Sequence, residues 1–392
     1  MKVFSNRHLL VCYYSFSEIR RHSKHGKIIY LLRQCYNAFL RKMYFDGDCK
    51  DFTFFISYDR KDHFEVLDQV YNQCNNGKSM IWLKWKSSFN IYNIGCFFKY
   101  IYKVFSLRSI ENEFGIKEKL SLIDQVTLYF YLLQTVDVVR AIKRIKNLES
   151  MDCFTVLGDV WPPESILVEF FNDLSITTVS CQHGIFRPNV REHNVDVLNM
   201  LGVPSKIRLA WGDVHNNIFE KYSPSVKNII CGNPLLEPNT CEVIPKTIGV
   251  ATDYHLFKDY NAKMLQIVQQ FAENNGYSVK WRKHPNDSVE NYTFNNSIIK
   301  LDSNLDDCEF IVAHTTTMFF SYLARGIKAI RYKSDVPFFD LDESIQFSNQ
   351  KEFDDIVRDM DSIDFSQISK PFIECIGEES KKKYTSFFNS VI

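Results

Sequence analysis

Two strand-like runs in the C-terminal half of the chain each end in groups suited to holding a phosphate. YSVKWRKH (277–284) closes on Arg282, Lys283 and His284 just before Pro285, and EFIVAHT (309–315) closes on His314 and Thr315, with Thr316 and Thr317 next. A residue that precedes proline is pushed to extended backbone, so the His284 imidazole is predicted to be fixed at a strand end. The threonines stand where the pattern predicts a helix to start, and the unpaired N–H groups and partial positive charge of such a start attract an anion. Threonine hydroxyls there can cap the helix, donate to phosphate oxygens, or do both. With Asp253, which closes TIGVATDY (247–254), these residues form a predicted donor-binding set, the two sides of one diphosphate or nucleotide site. The competing reading makes the threonines simple N-caps and the histidines satisfied structural residues.

The N-terminal half offers acid–base chemistry. In VSCQHGIFRPNVREHN (179–194) a strand runs into Gln182, His183 and Gly184, then into an irregular basic loop carrying Arg187. The glycine permits a sharp turn after the histidine. His183 would face a cleft from the strand's carboxyl end, where an imidazole titrating near neutrality can take a proton from an acceptor hydroxyl. The preceding strand ends in Gly158 and Asp159, and Glu164 stands at the start of the next helix. Either carboxylate could orient His183 or be the base itself. Gln182, Gly184 and Arg187 are expected on the acceptor side. The plainer alternatives are a buried His183 that packs a seam and a Glu164 that merely favours the positive end of a helix.

These groups need a scaffold that lines up strand ends. CFTVLGD (153–159), TTVSCQHG (177–184), IRLAWGD (207–213) and NIICGNP (228–234) are apolar runs interleaved with predicted helices over 162–174 and 213–221. LLEPNTCEVIPK (235–246) has two prolines and no periodicity, and reads as a linker. The alternation restarts with strands at 247–254, 277–284, 297–303, 309–315 and 328–332 and helices at 258–276 and 317–326. Before residue 150, strands are predicted at 51–58 and 80–85 and helices at 94–107 and 120–147. Unbroken apolar strands alternating with helices indicate parallel sheets covered on both faces, whose ligands bind outside the carboxyl ends of the strands. The expected fold class is α/β, with two Rossmann-like domains facing each other across a cleft. Residues 1–236 would bind acceptor, 246–372 would bind donor, and a terminal helix over 373–392 could return to the first domain.

Composition excludes more than it selects. The length of 392 residues favours two domains. Lys plus Arg and Asp plus Glu stand at 47 each, so no overall field points to nucleic acid. The eleven cysteines are scattered without a CxxC pair, as in reduced cytosolic proteins. Neither a signal peptide nor a spanning run of about 18 apolar residues is recognisable. GxxxxGK[ST], GxSxG and HExxH are lacking, as is GxGxxG after the first strand of either half. The short DxD patterns at Asp46, Asp340 and Asp359 do not end a predicted core strand. No metal and no cofactor are expected; basic and hydroxyl groups could stabilise a departing phosphate instead. Between Glu18 and Asp46 there are seven Lys or Arg and no acid, and between Asp68 and Glu111 Lys84, Lys86, Lys99, Lys103 and Arg108 alternate with aromatic residues. Basic and aromatic side chains together suit an anionic membrane surface, so the expected location is cytoplasmic, peripheral at the inner face of the cytoplasmic membrane.

The motifs resemble those of bacterial GT-B glycosyltransferases that build capsule, lipooligosaccharide and O-antigen. RKHP (282–285) is similar to the His-Pro motif of bacterial sialyl- and polysialyltransferases and of polyol-phosphate transferases. AHTTTMFFSYLARG (313–326) looks like their Ser/Thr-rich phosphate loop, and CQHGIFRP (181–188) like the Gln-His-Gly stretch of several surface-polysaccharide transferases. The resemblance implies that His284, Thr315 and Thr316 bind the donor's phosphate. The sialyltransferases' acidic pair before glycine is replaced by Gly158-Asp159-Val160, which leaves the base and the donor's nucleotide open. The implied activity is metal-independent transfer of a sugar from a nucleotide-activated donor to a growing surface glycan or lipid-linked acceptor. Two alternatives share the architecture: an isomerase like the nucleotide-sugar 2-epimerases, which needs no acceptor, and a catalytically inactive nucleotide-sugar-binding scaffold.

Overall fold

A computed structural model describes residues 24–57, 61–75, 77–102, 121–158, 162–185, 205–214, 216, 220, 223–285 and 287–391. The first sheet contains β1 (Arg41–Asp46), β2 (Phe52–Ile56), β3 (Lys78–Ser87), β4 (Cys153–Leu157), β5 (Thr177–Cys181), β6 (Ile207–Ala210) and β7 (Lys227–Ile230), in the order β1-β3-β2-β4-β5-β6-β7. Every pairing is parallel except that of β1 with β3. β2 and β4 are buried along their whole length, as unbroken apolar runs require in a sheet covered on both faces. The second sheet contains β8 (Ile244–Ala251), β9 (Ser278–Arg282), β10 (Ile299–Leu301), β11 (Cys308–Ala313), β12 (Ala329–Tyr332) and β13 (Gln346–Phe347). Its order is β10-β9-β8-β11-β12-β13, parallel throughout. The predicted fold class therefore holds: two Rossmann-like α/β halves.

Among the described residues the longer helices are α1 (Lys24–Leu40), α2 (Lys61–Asn72), α3 (Ile91–Tyr100), α4 (Leu122–Ile142), α5 (Pro162–Asp173), α6 (Lys258–Asn275), α7 (Met318–Ala324), α8 (Gln350–Asp359) and α9 (Gly377–Ser390). α4 starts with a capping box in which Ser121 Oγ accepts from Asp124 N and Asp124 Oδ2 accepts from Ser121 N, both at 3.2 Å. It is buried on nearly every side, between β1 and the helices α1, α3 and α5. Asp137, deep in α4, accepts a 2.7 Å hydrogen bond from the Met43 amide and so ties down the antiparallel edge strand.

Pattern and structure part company in a few places. The segment expected to be a linker from 235 to 246 gives up its end to β8, which starts at Ile244. Pro245 is tolerated there because the pairing of β8 with β11 is irregular between Cys308 and Phe310. The helix expected over 94–107 is α3, starting earlier, at Ile91, and its expected far end lies outside the described residues, as does most of that expected over 213–221. α1, β1 and β13 were not anticipated; β1 has a half-exposed, polar sequence, RKMYFD, that carries no strand signal.

The chain crosses between the halves twice. After β7 it passes Gly232 at φ 75°, where a Cβ would lie 2.2 Å from the Cys375 carbonyl oxygen, so only glycine fits. The return strap brings α9 back onto the first sheet, where Phe388 meets Phe52 and Phe54 at ring separations of 5.8 and 5.6 Å. Between the crossings, Ile185 and Trp211 from the first half share one apolar cluster with Phe320 and Phe372.

Candidate functional site

Strand order places the crevices. The first sheet grows from β2 to β3 on one side and from β4 to β7 on the other, so its direction reverses between β2 and β4. The second grows from β8 through β9 to β10, then from β11 to β13, reversing between β8 and β11. At such a reversal the flanking connections leave toward opposite faces, which opens a crevice at the carboxyl edge where ligands bind.

At the second reversal Asp253, two residues past β8, is bonded to the residues after β11. Asp253 Oδ2 accepts from His314 Nδ1 at 3.0 Å, from the Thr315 amide at 2.9 Å and from the Thr315 hydroxyl at 2.9 Å. Burial alone would raise the Asp253 carboxyl; the bond and charge of His314 and the two Thr315 donors outweigh it and hold the carboxyl below its ordinary value. Ser334 Oγ lies 2.7 Å from His314 Nε2 and accepts from the Val336 amide at 3.1 Å. From these partners the Nδ1 proton is assigned to the bond with Asp253, and Nε2 faces the Ser334 hydroxyl. Asn261 closes the other side, accepting from the Asp253 amide and donating to its carbonyl. Arg331 Nε donates to the His314 carbonyl at 3.1 Å.

The predicted donor set thus divides. His314 and Thr315 are 0% and 1% exposed and face Asp253, so the three form a frame rather than a surface. His284, half-buried beside Tyr254 at a ring separation of 5.9 Å, is in charge range of Asp253. Burial lowers its pKa below the usual imidazole value, although Asp253 and Asp287 pull the other way. Thr316 is half-buried and accepts from the Met318 amide at 3.4 Å; Thr317 is exposed. α7 starts only at Met318 and spans seven residues, so the helix predicted over 317–326 presents a short dipole. The Lys283 ammonium is committed to the carbonyls of His284, at 3.0 Å, and of Asp287, which pins the turn after β9. Arg282 is exposed beside Tyr322 of α7 and away from the frame's hydrogen bonds.

At the first reversal an analogous tie joins the residue after β2 to the start of α5. Glu164 Oε1 accepts from the Ser57 amide at 3.2 Å and from the Ser57 hydroxyl through a short hydrogen bond. Glu164 is 3% exposed, and its Oε2 has no hydrogen-bond partner among the described residues. Burial pushes its carboxyl up to about 7, against the pull of Ser57. One strand further along, His183 follows β5, half-buried, and packs edge-on to His63 of α2 at 5.1 Å. A Cβ on Gly158 would lie 3.0 Å from His183 Nδ1, so the glycine after β4 makes room for the ring. Gln182 is fully buried; its amide donates to the Gly184 carbonyl and accepts from Trp211 N, both at 2.8 Å, locking β5 to β6. Asp159 and Arg187 lie outside the described residues.

Sequence reasoning did not pick out Ser57, His63, Asn261, Ser334 or Arg331. Ser57 carried a usable signal, since it directly follows the apolar run 52–56. The others sit inside helices or strands or after the last strands, with no local cue.

The fold has solved counterparts. UDP-GlcNAc 2-epimerase from Methanocaldococcus jannaschii superposes with a TM-score of 0.52 at 12% identity, over 86% of this chain and 99% of that one. The MnaA–UDP complex of S. aureus gives 0.51 at 12% identity, over 88% and 98%. The pneumococcal O-GlcNAc transferase GtfA, in complex with UDP and GlcNAc, is more distant at 0.46 and 11% identity, over 66% and 60%. At such identities the likeness is one of fold, the GT-B arrangement of two Rossmann-like halves. No protein-family model and no curated protein matches the chain. Among the described residues, no cluster of three His, Cys, Asp or Glu is placed to hold a metal, and no helix is long and apolar enough to cross a membrane.

Proposed function

We propose that the protein is a metal-independent GT-B glycosyltransferase. Its second half, residues 246–372, holds a nucleotide sugar, and its first half, residues 1–236, holds the acceptor. The observation that carries this is the pair of polar ties at the two sheet reversals, Asp253 with His314 and Thr315 in one half and Glu164 with Ser57 in the other. The buried frame around Asp253 sets the strand ends, and His284, Thr316 and Thr317 stand beside it at the carboxyl edge and meet donor phosphate, with Arg282 at the rim. His183, or Asp159 beyond Gly158, takes the proton of the acceptor hydroxyl as its oxygen bonds to the sugar's anomeric carbon and the sugar–phosphate bond breaks. The released nucleotide keeps the bonding electrons, and donors around it replace a metal's charge. Arg187 belongs to the acceptor side of this scheme.

The acceptor is a growing surface glycan presented at an anionic membrane. Support comes from a face of α1 and α3 that exposes Ile29, Leu32, Ile91 and Phe98 at 55, 63, 74 and 72%. Basic groups are interleaved with rings on this side: Arg41 over Tyr36 and Arg140 over Tyr92, at 5.6 and 4.6 Å. Three of the basic residues described in this half pair with acids, Lys84 with Asp46, Lys27 with Asp124 and Lys61 with Glu65.

The second reading, an isomerase, is favoured by the near-complete overlap with a 2-epimerase fold. Incubating the protein with UDP-GlcNAc alone separates the two: only an isomerase changes the sugar without an acceptor. For either reading, UDP at about 100 times its dissociation constant should add roughly 2.7 kcal/mol of stability. His284→Ala should abolish most of that gain while leaving the melt of the free protein in place; an undiminished gain would remove the donor site from this edge.

A further inference from the structure

The first half contains a cavity of about 350 Å³ between α1, α4 and β3. It reaches the carboxyl edge of the sheet, where Ser57 and Pro163 line it. Ligand clefts run from about 300 to 1,000 Å³, so it suits a small head rather than a whole nucleotide sugar. Tyr30, Trp85 and Tyr131 give it aromatic faces. Gln34 and Gln134 are buried in its wall and joined by a 2.6 Å hydrogen bond. Arg33 stands at the mouth, and no acid occurs among the residues that line the cavity.

A hydrocarbon tail suits this wall poorly, because it would strip water from the amide groups of Gln34 and Gln134 and return no hydrogen bonds. A sugar ring suits it well: its C–H faces lie on aromatic rings, and its hydroxyls exchange hydrogen bonds with amides and with Ser57. The Ser57 hydroxyl proton goes to buried Glu164, so Ser57 Oγ presents a lone pair to the cavity and accepts from a sugar hydroxyl. Arg33 offers a planar fork of N–H donors, the geometry that matches a carboxylate.

We propose that this cavity is the acceptor subsite and that it takes a sugar bearing a carboxylate. The assignment as acceptor rests on the transferase reading; the binding itself does not. The test titrates the full chain with methyl glucuronide and methyl glucoside by calorimetry, in the wild type and in Arg33→Leu. The glucuronide should bind saturably at millimolar concentration and about tenfold tighter than the glucoside, a difference of about 1.4 kcal/mol. Arg33→Leu should erase that preference and leave the melting temperature unchanged, since Arg33 is exposed. Equal binding of the two sugars, or a preference that survives in Arg33→Leu, overturns the proposal. A UDP melt on the same samples keeps the two claims apart. Glucuronide binding without UDP stabilisation sinks only the nucleotide reading, and UDP stabilisation without glucuronide binding sinks only this pocket.

Discussion

Changing Glu164 to glutamine should alter stability by a constant cost plus a part that depends on pH. The carboxyl lies at about 7 in the folded protein against an ordinary 4.5, because burial penalises its charged form. At about 1.4 kcal/mol per pH unit of difference, ionising it costs the folded state on the order of 3 kcal/mol. The sign follows from the direction. A carboxyl raised by folding favours the native state fully below 4.5, and that advantage is lost as pH rises to about 7. Glutamine never ionises, but it puts an amide donor where Oε2 now has no partner among the described residues, at a fixed cost of about 1–3 kcal/mol. That cost does not vary with pH, so the difference between the two proteins isolates the titration. Urea unfolding of both from pH 4.5 to 8 should show the wild type losing about 3 kcal/mol relative to Glu164→Gln across that interval. A difference that stays level across the interval would refute the claim that burial governs this carboxyl.

Asp253→Ala leaves the Thr315 amide and His314 Nδ1 buried without an acceptor, at about 1–3 kcal/mol each, so urea unfolding should report a loss of about 2–6 kcal/mol. Thr317→Ala, at an exposed position, should stay within about 0.5 kcal/mol; similar losses for both would mean that the frame's hydrogen bonds add no stability of their own. Because the Asp253 carboxyl is held low, its contribution is present above the ordinary carboxylate value and fades as acid titrates it. Reversing Arg41, Lys86 and Lys99 to Glu should weaken sedimentation with phosphatidylglycerol vesicles by about 100-fold or more, at about 1 kcal/mol per basic group near the surface. Unchanged sedimentation, or equal binding to phosphatidylcholine, would argue against the membrane face.

Much of the scaffold is legible residue by residue. FTFFI and CFTVL read as strands buried on both faces, and both are. The glycine after KDYNAKMLQIVQQFAENN ends α6 at φ 70°, because it alone enters left-handed backbone at little cost. Such signals lie within a few neighbours of the residue they govern. Edge elements escaped: β1 is polar and half-exposed, and β13 is two residues long, so neither carries a period to detect.

The site is a different matter. Ser57 and Glu164 are 107 residues apart, and Asp253 and His314 are 61 apart. What joins each pair is the reversal of strand order, a property of the whole sheet that no window of sequence contains. The same topology decided that His314 and Thr315 turn inward to a carboxylate while His284 and Thr317 stay near the surface. Sequence alone named the residues that end the strands. Tertiary structure chose which of them are buried against one another and which stay near the surface, because a buried donor must first satisfy the acceptor packed against it.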